Sequence, residues 1–362
     1  MNMLVHPEQL ISGCRLIKEV QGKTQYPLVP SNTIVDETQI EVLKFFLVEK
    51  VEVSDFLVDG RKFKPKAYVE KEVEKKKEEP IALLSFEESY QKAVEDYKLL
   101  FASWQNGSTI KMNDVRKVIV PLIEMLEEKP LDLFLLQKLS TKEDYFYHHG
   151  VAVGLISAAL AKKLNFKKEW IQIGLAGLLA DCGMSKMSPA IFYKKERLTS
   201  KELEEVKQHP TISYRMIEKV PSLAKEIKLA VLQHHERLDG TGYPLGVDQE
   251  KIHLFSKILA ISDTYHAMTS ERAYQHKKAP FKVMEEMMHL KYSKYDHHLL
   301  QMFIETLANY TTGTKVKLST GEEAEIVFLE IDQPTRPIVK LLRNDEIIAL
   351  KTKQNIYIES VI

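Results

Sequence analysis

The sequence predicts a mainly α-helical protein, in which a helical bundle is flanked by a small N-terminal α+β domain and a small C-terminal β-barrel-like domain. Residues 84 to about 308 have an almost wholly helical pattern, and no strand-rich stretch interrupts them. After Gly313 apolar and polar residues alternate as in short strands. A charged run from Lys66 to Pro80 separates the helical block from the N-terminal residues. The predicted boundaries are therefore 1–65, 66–83, 84–310 and 311–362.

The N-terminal domain is predicted from two strand-like runs, Ile11–Val20 and Lys50–Ser54, which flank a helix at Glu37–Leu47. Asp36 and Gln39 have the spacing of a capping box at the start of that helix. The charged segment that follows ends at a proline. We interpret it as a solvated linker rather than as a binding segment.

Local signals also mark the elements of the other two domains. Ser85, Asn113 and Thr199 each open a predicted helix, and His149–Lys163 is an apolar helix whose basic end suits the helix dipole. The β-domain has short strand-like runs separated by turns: Lys315–Leu318, Ala324–Leu329, Pro337–Leu342, Ile347–Leu350 and Ile356–Ile358.

Composition excludes several classes of protein. Lys+Arg and Asp+Glu balance at 51 each, so no global charge recruits a nucleic acid polymer or an anionic membrane. The two cysteines, Cys14 and Cys182, provide neither a disulfide framework nor a CxxC metal site. The prominent apolar run Ile173–Ala180 is too short for a membrane span, and the N-terminus lacks the apolar region of a secretory signal. We expect a cytoplasmic protein.

The most informative stretch is a histidine pair, His234-His235, followed by a glycine-rich turn that ends in Gly242-Tyr243-Pro244. Neutral imidazoles suit Zn²⁺, Fe or Mn. Gly240 and Gly242 allow the backbone to approach a ligand closely. The stretch therefore suggests a metal or ligand site.

Six residues of the helical block are candidate metal ligands: His149, Asp181, His209, His234, His235 and Asp263. They fall on what are predicted to be five helices or helix ends, and a bundle can bring such side chains together in its core. Imidazoles and carboxylates without a thiolate suit Fe, Mn or Zn. Asp181 follows an apolar run, and a buried carboxylate needs pairing, hydrogen bonds or a metal.

Each candidate alone has a simpler interpretation. His149 can be a hydrogen-bonded core histidine, and His209, which precedes a proline, can mark a helix boundary. Asp263 can cap a helix that begins near Tyr265. Only the whole set, with its adjacent histidine pair, favours a metal site.

The order of these residues resembles the HD-GYP domain, a branch of the HD-domain metal-dependent phosphohydrolases. The resemblance covers roughly residues 140–305 and depends on separated motifs that occur in order: His149, Asp181-Cys182-Gly183, His209-Pro210, His234-His235-Glu236, Asp239-Gly240-Thr241-Gly242-Tyr243-Pro244, Asp263-Thr264-Tyr265 and Thr269-Ser270-Glu271-Arg272. It implies an HD-type helical bundle that hydrolyses cyclic di-GMP, to pGpG and onward to GMP, with divalent transition metal ions.

The resemblance also implies roles for individual residues. A first metal ion would have three ligands: His149, Asp181 and Asp263. A second ion would share the first aspartate and take two imidazoles, with a third on its outer side: Asp181, His209, His234 and His235. Asp181 is thus the implied catalytic residue. Two further positions match residues that contact the nucleotide, of which the arginine suits a phosphate: Tyr243 and Arg272.

The chain departs from the family pattern around one metal and the phosphate. The His-Asp doublet that names the family is Ala180-Asp181, so one imidazole is missing. Further positions lack the charged residues that the family pattern has there: Ala152, Met184, His266, Gln275 and Tyr145. Loss of a direct ligand should weaken metal binding by more than the roughly 10–100-fold effect of an outer residue. We therefore expect one or two ions of Fe, Mn or Zn.

His266 is a candidate replacement for the missing imidazole. It follows Asp263 by three positions, so the two residues share a helix face. His148 is a poorer candidate, because adjacent residues on a helix point about 100° apart.

Three functions remain open from the sequence. The first is a cyclic di-GMP phosphodiesterase with impaired activity. The second is a catalytically inactive nucleotide receptor or scaffold in second-messenger signalling, and the third is a phosphohydrolase for another phosphoester. The expected partners are a cyclic dinucleotide and either a second copy of the chain or a signalling protein.

Overall fold

The computed structural model describes residues 2–21, 27–45, 48, 50–65, 85–128, 135–192, 194, 196–272, 276–307, 312–330 and 333–362. The chain divides into two compact units, residues 1–83 and 84–362. The predicted linker, residues 66–83, lies outside the described residues. Among the described helices, none combines the length and the apolar character that a membrane crossing requires.

The described residues of the N-terminal unit form one α-helix and two small antiparallel sheets. The sheets pair β1 with β4 and β2 with β3. Its elements are β1 (Asn2–Val5), β2 (Val20–Gln21), β3 (Pro27–Val29), α1 (Glu37–Phe45) and β4 (Val51–Ser54). The capping box is present, because Asp36 and Gln39 each accept the backbone N–H of the other at 2.8 Å.

The predicted strand Ile11–Val20 is wrong. Only isolated bridges at Arg15 and Leu16 and the first residue of β2 are paired there. Gly13 has a φ of +96°, and Cys14 N–H donates to Ile11 O in a turn. A left-handed residue and a turn interrupt an extended chain, so apolar residues that looked strand-like lie in a loop over the small core.

The second unit is mainly helical, which confirms the mainly α-helical part of the predicted fold class. Its helices are α2 (Phe86–Gln105), α3 (Met112–Glu128), α4 (Leu135–Leu139), α5 (Tyr145–Lys163), α6 (Trp170–Leu179), α7 (Pro189–Phe192), α8 (Ser200–Val206), α9 (His209–Ile217), α10 (Lys225–Gln233), α11 (Leu254–Thr269), α12 (Pro280–His289) and α13 (His297–Leu307). Capping boxes at Ser85 and Thr199 start α2 and α8 where the sequence predicted helices.

Helices α5 and α6 form the centre of the bundle and pack almost backbone to backbone. A Cβ atom placed on Gly177 would lie 2.8 Å from the Cα atom of Gly154. Only residues without a side chain allow this approach, which fixes the two helices tightly against each other. The N-terminal turn of α5 and the C-terminal end of α6 are thereby held side by side.

The C-terminal strands form an open five-stranded antiparallel sheet rather than the predicted barrel. The strand order is β8-β7-β6-β5-β9, so the two edge strands of this described sheet do not pair. Its strands are β5 (Lys315–Leu318), β6 (Glu323–Phe328), β7 (Ile338–Leu341), β8 (Ile347–Ala349) and β9 (Ile358–Val361). Strand β9 lies against α12. A helix that covers an edge strand removes the need for closure.

The sheet and the bundle share one apolar core, to which the sheet contributes Val316, Ile326 and Val339. An ion pair joins them at the surface of that core. The Arg336 guanidinium contacts the Glu285 carboxylate of α12, with Nη2 2.6 Å from Oε2, and Nη1 also donates to Ile356 O at 2.8 Å. The separation of 84–310 from 311–362 as two domains stays a prediction.

Candidate metal centre

The six predicted ligands come together at one end of the bundle. They are carried by the start of α5, the turn after α6, the start of α9, the end of α10 and the middle of α11: His149, Asp181, His209, His234, His235 and Asp263. Asp263 lies inside α11, so its interpretation as a helix cap is wrong. Their ligand atoms form two overlapping groups, each with all its atoms within 4.8 Å of one another.

Close packing brings Asp181 to His209. After Asp181 the chain enters a short 3-10 turn, Cys182–Lys186, that lies against α9. A Cβ atom on Gly183 would lie 2.4 Å from His209 O, and Gly183 N–H donates to Ser213 Oγ at 2.8 Å. The glycine therefore lets the two backbones touch, and the carboxylate reaches the histidine across that contact.

The first group surrounds Asp181 Oδ1. His209 Nε2 lies 3.0 Å and His234 Nε2 3.4 Å from this oxygen, and the two Nε2 atoms are 3.2 Å apart. His235 belongs to the same group. The side chains of His209 and His234 are buried.

Backbone hydrogen bonds fix the orientation of the two imidazoles. His209 Nδ1 lies 2.7 Å from Val206 O, and His234 Nδ1 lies 2.6 Å from Val231 O. A carbonyl only accepts, so each Nδ1 carries a proton, and Nε2 is the ring nitrogen that can present a lone pair to a cation. Asp181 Oδ1 is buried and accepts no hydrogen bond from the described residues. Two lone pairs and a carboxylate oxygen at these distances fit a cation.

The second group lies on the other side of Asp181. His149 Nε2 is 3.0 Å from Asp263 Oδ1 and 3.6 Å from Asp181 Oδ2. His235 Nδ1 is 3.5 Å from Asp263 Oδ2, so Asp263 contacts both halves. Asp181 thus directs one oxygen to each group. Either group can hold a metal ion.

Burial and charge shift the pKa values of these groups. Burial alone would raise the pKa of the Asp181 carboxyl, but the imidazoles of His209, His234 and His149 outweigh it and hold the pKa well below its usual value. The pKa of Asp263 is lowered in the same way by His235 and His149, against the effect of burial. Burial lowers the pKa of His235, and the neighbouring His234 adds to this effect. At neutral pH the carboxylates are therefore charged and His235 is a neutral donor.

The two predicted nucleotide-contacting residues lie in different surroundings. The Tyr243 ring packs on His235, with ring centroids 4.7 Å apart. The Arg272 guanidinium instead lies over the Tyr145 ring at 5.4 Å and donates to Ala267 O. Tyr243 thus borders the first group, whereas Arg272 is held against the N-terminal turn of α5.

Sequence reasoning missed the role of Glu236. Its buried carboxylate accepts three backbone N–H groups, from Leu245 at 2.7 Å and from Gly246 and Val247 at 3.2 Å. These bonds fix the turn that carries Tyr243 beside the histidine pair. The signal was an acidic residue directly before a glycine-rich turn whose N–H groups need an acceptor.

The departures from the family pattern lie mainly in buried surroundings. Ala180, Met184 and Ala152 are buried and offer no ligand atom. Gln275 lies outside the described residues. His266 does not replace the missing imidazole. Its Nδ1 lies 3.0 Å from His149 Nδ1, on the side of that ring away from the two carboxylates.

The six side chains of the centre lie in a part of the chain that matches a known protein family. The family model described as HD domain matches residues 133–299, which include all six side chains of the centre. These residues are thus similar to the HD domain. The resemblance to HD-GYP proteins, based on the ordered motifs, is confirmed by the relatives of this HD domain.

Two relatives illustrate the similarity. A cyclic di-GMP phosphodiesterase of Pseudomonas aeruginosa is 30% identical over 223 residues, which are 61% of this chain and 54% of the relative. A 3'3'-cGAMP-specific phosphodiesterase of Vibrio cholerae is 29% identical over 194 residues, 50% of this chain and 42% of the relative. The chain thus spans about half the length of the curated relatives it matches.

Among solved structures, Bd1817, an HDG"Y"P protein from Bdellovibrio bacteriovorus, has the same fold. The TM-score is 0.51 at 12% sequence identity, and the match covers 85% of this chain and 99% of that chain.

Proposed function

We propose that this chain is a metal-dependent phosphodiesterase that hydrolyses a cyclic dinucleotide, with lower activity than a centre that has the complete ligand set. One observation carries the proposal, namely the position of Asp181 between two groups of ligands. Its Oδ1 lies 3.0 Å from His209 Nε2, and its Oδ2 lies 3.6 Å from His149 Nε2. A carboxylate in this position is suited to bridge two divalent ions.

The donors suit one or two ions of Fe, Mn or Zn. The residues that would hold an ion on one side are Asp181, His209, His234 and His235, and those on the other side are Asp181, His149 and Asp263. An ion held there supplies a nucleophile from water near neutral pH and offsets the charge of the phosphate.

The chain's own side chains supply orientation and charge. Asp181 and Asp263 stay ionised because their pKa values are depressed, so they provide the negative charge that retains a divalent ion. Tyr243 lies on His235 at the edge of the centre, where its ring can stack on a nucleobase. The backbone bonds to Glu236 hold this ring in place.

Reduced activity follows from the residue beside Asp181. Ala180 cannot coordinate, and the second group therefore has one imidazole, His149, with its two carboxylates. Replacing a neutral nitrogen ligand by none lowers the affinity of that half more than a change in an outer residue does. We therefore propose that a metal ion binds more tightly to the group that contains three imidazoles, those of His209, His234 and His235, than to the group that contains His149.

Cyclic di-GMP is the proposed substrate, because relatives that hydrolyse it match the HD domain. 3'3'-cGAMP is the closest chemical alternative, and a relative specific for it also matches. We propose a cytoplasmic location, with a second copy of the chain or a signalling protein as partner.

A nucleotide receptor without catalysis is the second candidate. The observation that favours it is Arg272, whose guanidinium lies over Tyr145 and donates to Ala267 O. An arginine engaged in this way does not present its fork to a phosphate in the centre. Binding would then depend on Tyr243 and the metal ligands.

The two candidates separate in one assay. The protein, loaded with Mn²⁺ or Fe²⁺, is incubated with cyclic di-GMP or with 3'3'-cGAMP, and linear products are followed by chromatography. We expect slow turnover that Asp181→Ala abolishes. Binding of either nucleotide without product would support the receptor, and the absence of both binding and product would contradict both candidates.

A further inference from the structure

His149 and His266 form a pair of buried imidazoles behind the metal-ligand cluster. His149 lies on α5 and His266 on α11, and their Nδ1 atoms are 3.0 Å apart. Both side chains are buried. A ring nitrogen donates only when it carries a proton, so a hydrogen bond between the two Nδ1 atoms needs one to donate and the other to accept. The Tyr145 hydroxyl also lies 3.4 Å from His149 Nδ1.

The remaining nitrogens of the pair face different groups. His149 Nε2 points to Asp263 Oδ1 at 3.0 Å. His266 Nε2 lies 3.3 Å from Ser270 Oγ. A carboxylate only accepts, whereas a serine hydroxyl both donates and accepts. Ser270 can therefore match either tautomer of His266.

We propose that His266, supported by Ser270, is a positioning residue that sets the tautomer of His149, and that the pair exchanges tautomers when a divalent ion is bound. The inference rests on the metal centre of the proposed function. It concerns a histidine at a position where the family pattern has an acidic residue.

In the metal-free tautomer, His149 Nε2–H donates to Asp263 Oδ1. His149 Nδ1 accepts from His266 Nδ1–H, and His266 Nε2 accepts from the Ser270 hydroxyl. All the polar atoms of this chain of contacts are then satisfied, which is needed in a buried site.

In the metal-loaded tautomer, His149 carries its proton on Nδ1 and donates it to His266 Nδ1. His266 Nε2–H then donates to Ser270 Oγ, and His149 Nε2 presents its lone pair towards Asp181 and Asp263. Each imidazole holds one proton in both tautomers, so the exchange neither takes up nor releases a proton. An acidic residue at position 266 would accept only, and would favour the second arrangement alone.

The tautomers are measured by NMR of protein labelled with ¹⁵N-histidine, first with chelator and then with Zn²⁺. His149 and His266 signals are assigned by their loss in His149→Gln and His266→Phe. We expect His149 to change from an Nε2 proton to an Nδ1 proton on addition of Zn²⁺, while His266 changes in the opposite sense. A His149 tautomer that is the same in both samples overturns the inference.

Zinc affinity gives a second readout. We expect His266→Phe to weaken the zinc site at His149 by about 10–100-fold, and His266→Asn, whose amide can donate and accept, to restore most of the affinity. Equal zinc binding by His266→Phe and the wild type would contradict the proposal.

The control variant is His148→Phe. His148 is a buried neighbour on the same helix whose ring packs on Tyr90, with centroids 5.7 Å apart. Its replacement should leave zinc affinity unchanged. If the wild type binds no zinc, the metal centre of the proposed function fails and the inference fails with it. If zinc binds but the tautomers stay fixed, only the inference fails.

Discussion

His209 and His234 hold their Nε2 atoms 3.2 Å apart over the Asp181 carboxylate, while the Nδ1 of each faces a backbone carbonyl three residues earlier in the chain. The two backbone contacts fix the ring tautomers, so the electron-rich nitrogens are directed at each other and at a charged oxygen. A cation held between these atoms stabilises the arrangement further. Metal binding and stability are therefore coupled at this point.

Removal of the Asp181 charge should separate the two effects. We expect Asp181→Asn to destabilise the metal-free protein by about 1 kcal/mol, because the depressed pKa of the Asp181 carboxyl means that its ionised form favours the folded chain. The same variant should lose the stabilisation that Mn²⁺ gives the wild type. Thermal unfolding with chelator and with Mn²⁺ measures both effects.

Asp144→Asn is the matched control, because Asp144 pairs with Lys98 at 2.8 Å, outside the metal-ligand groups. It should leave the response to Mn²⁺ unchanged. An Asp181→Asn protein that Mn²⁺ stabilises as strongly as the wild type would contradict the assignment of Asp181.

Acid should destabilise the metal-free protein from about pH 6.5 downward. Burial lowers the pKa of His235 and His266, so both rings are neutral when folded, whereas each takes up a proton below about pH 6.5 when unfolded. The unfolded chain then binds more protons, and the free energy of unfolding falls as pH falls.

Asp181 and Asp263 affect stability in a lower pH range than the histidines do. The pKa values of Asp181 and Asp263 are depressed, so their contribution is lost only as pH falls below about 4, the usual value in an unfolded chain. Between about pH 4 and about pH 6.5, the pH dependence of the free energy of unfolding therefore comes from the histidines rather than from these aspartates. Unfolding by denaturant at several pH values in this range measures it. His266→Phe should have a smaller loss of stability there than the wild type, and an equal loss would show that His266 does not contribute.

The turn that carries Tyr243 should not tolerate a side chain at Gly242. A Cβ atom there would lie 2.4 Å from Arg237 N and from Glu236 Cα. We expect Gly242→Ala to cost about 1–3 kcal/mol of stability and to weaken nucleotide binding, because backbone atoms must move. Unfolding by denaturant and a nucleotide-binding isotherm measure the two effects.

Gly240 provides a comparison in the same turn. Its φ is +71°, and the nearest atom to an added Cβ is 3.7 Å away, at Asp248 Oδ1. Asparagine tolerates this backbone conformation, so Gly240→Asn should cost less than Gly242→Ala. The reverse order would mean that backbone conformation rather than close packing limits the turn.

The ion pair of Arg336 and Glu285 should anchor the C-terminal sheet to α12. Both side chains are mostly buried, at 13% and 12% exposure. We expect Arg336→Leu to cost about 3 kcal/mol, because it leaves the mostly buried Glu285 carboxylate with only the distant Lys282 Nζ, at 3.9 Å, as a cationic neighbour. Arg336→Leu combined with Glu285→Leu should recover much of that loss in a double-mutant cycle, and additive losses would show that the pair is not coupled.

Local signals in the sequence predicted much of the helical unit. Ser85 and Thr199 start helices because each side chain and the glutamate three residues later bond to backbone groups within one turn. The order of the motifs also identified the six candidate ligands. The barrel was wrong, because closure depends on whether β8 meets β9, and no residue within those strands determines that.

The contacts made by single side chains were harder to predict. His266 shares a helix face with Asp263, as the spacing indicates, yet it turns to His149 because α5 crosses that face. The spacing of residues along one helix does not reveal which side chains of a neighbouring helix they will contact. Gly13 shows the same limit at the level of the backbone, since its positive φ ends a run that looked strand-like.

The metal content of the purified protein tests the central claim most directly. The wild type and Asp181→Ala are loaded with Mn²⁺, passed through a desalting column and measured by elemental analysis. We expect one or two ions per wild-type chain, and about a tenth of that or less in Asp181→Ala, because Asp181 belongs to both ligand groups. A wild type without metal, or equal metal in the two proteins, would contradict a metal centre built on Asp181.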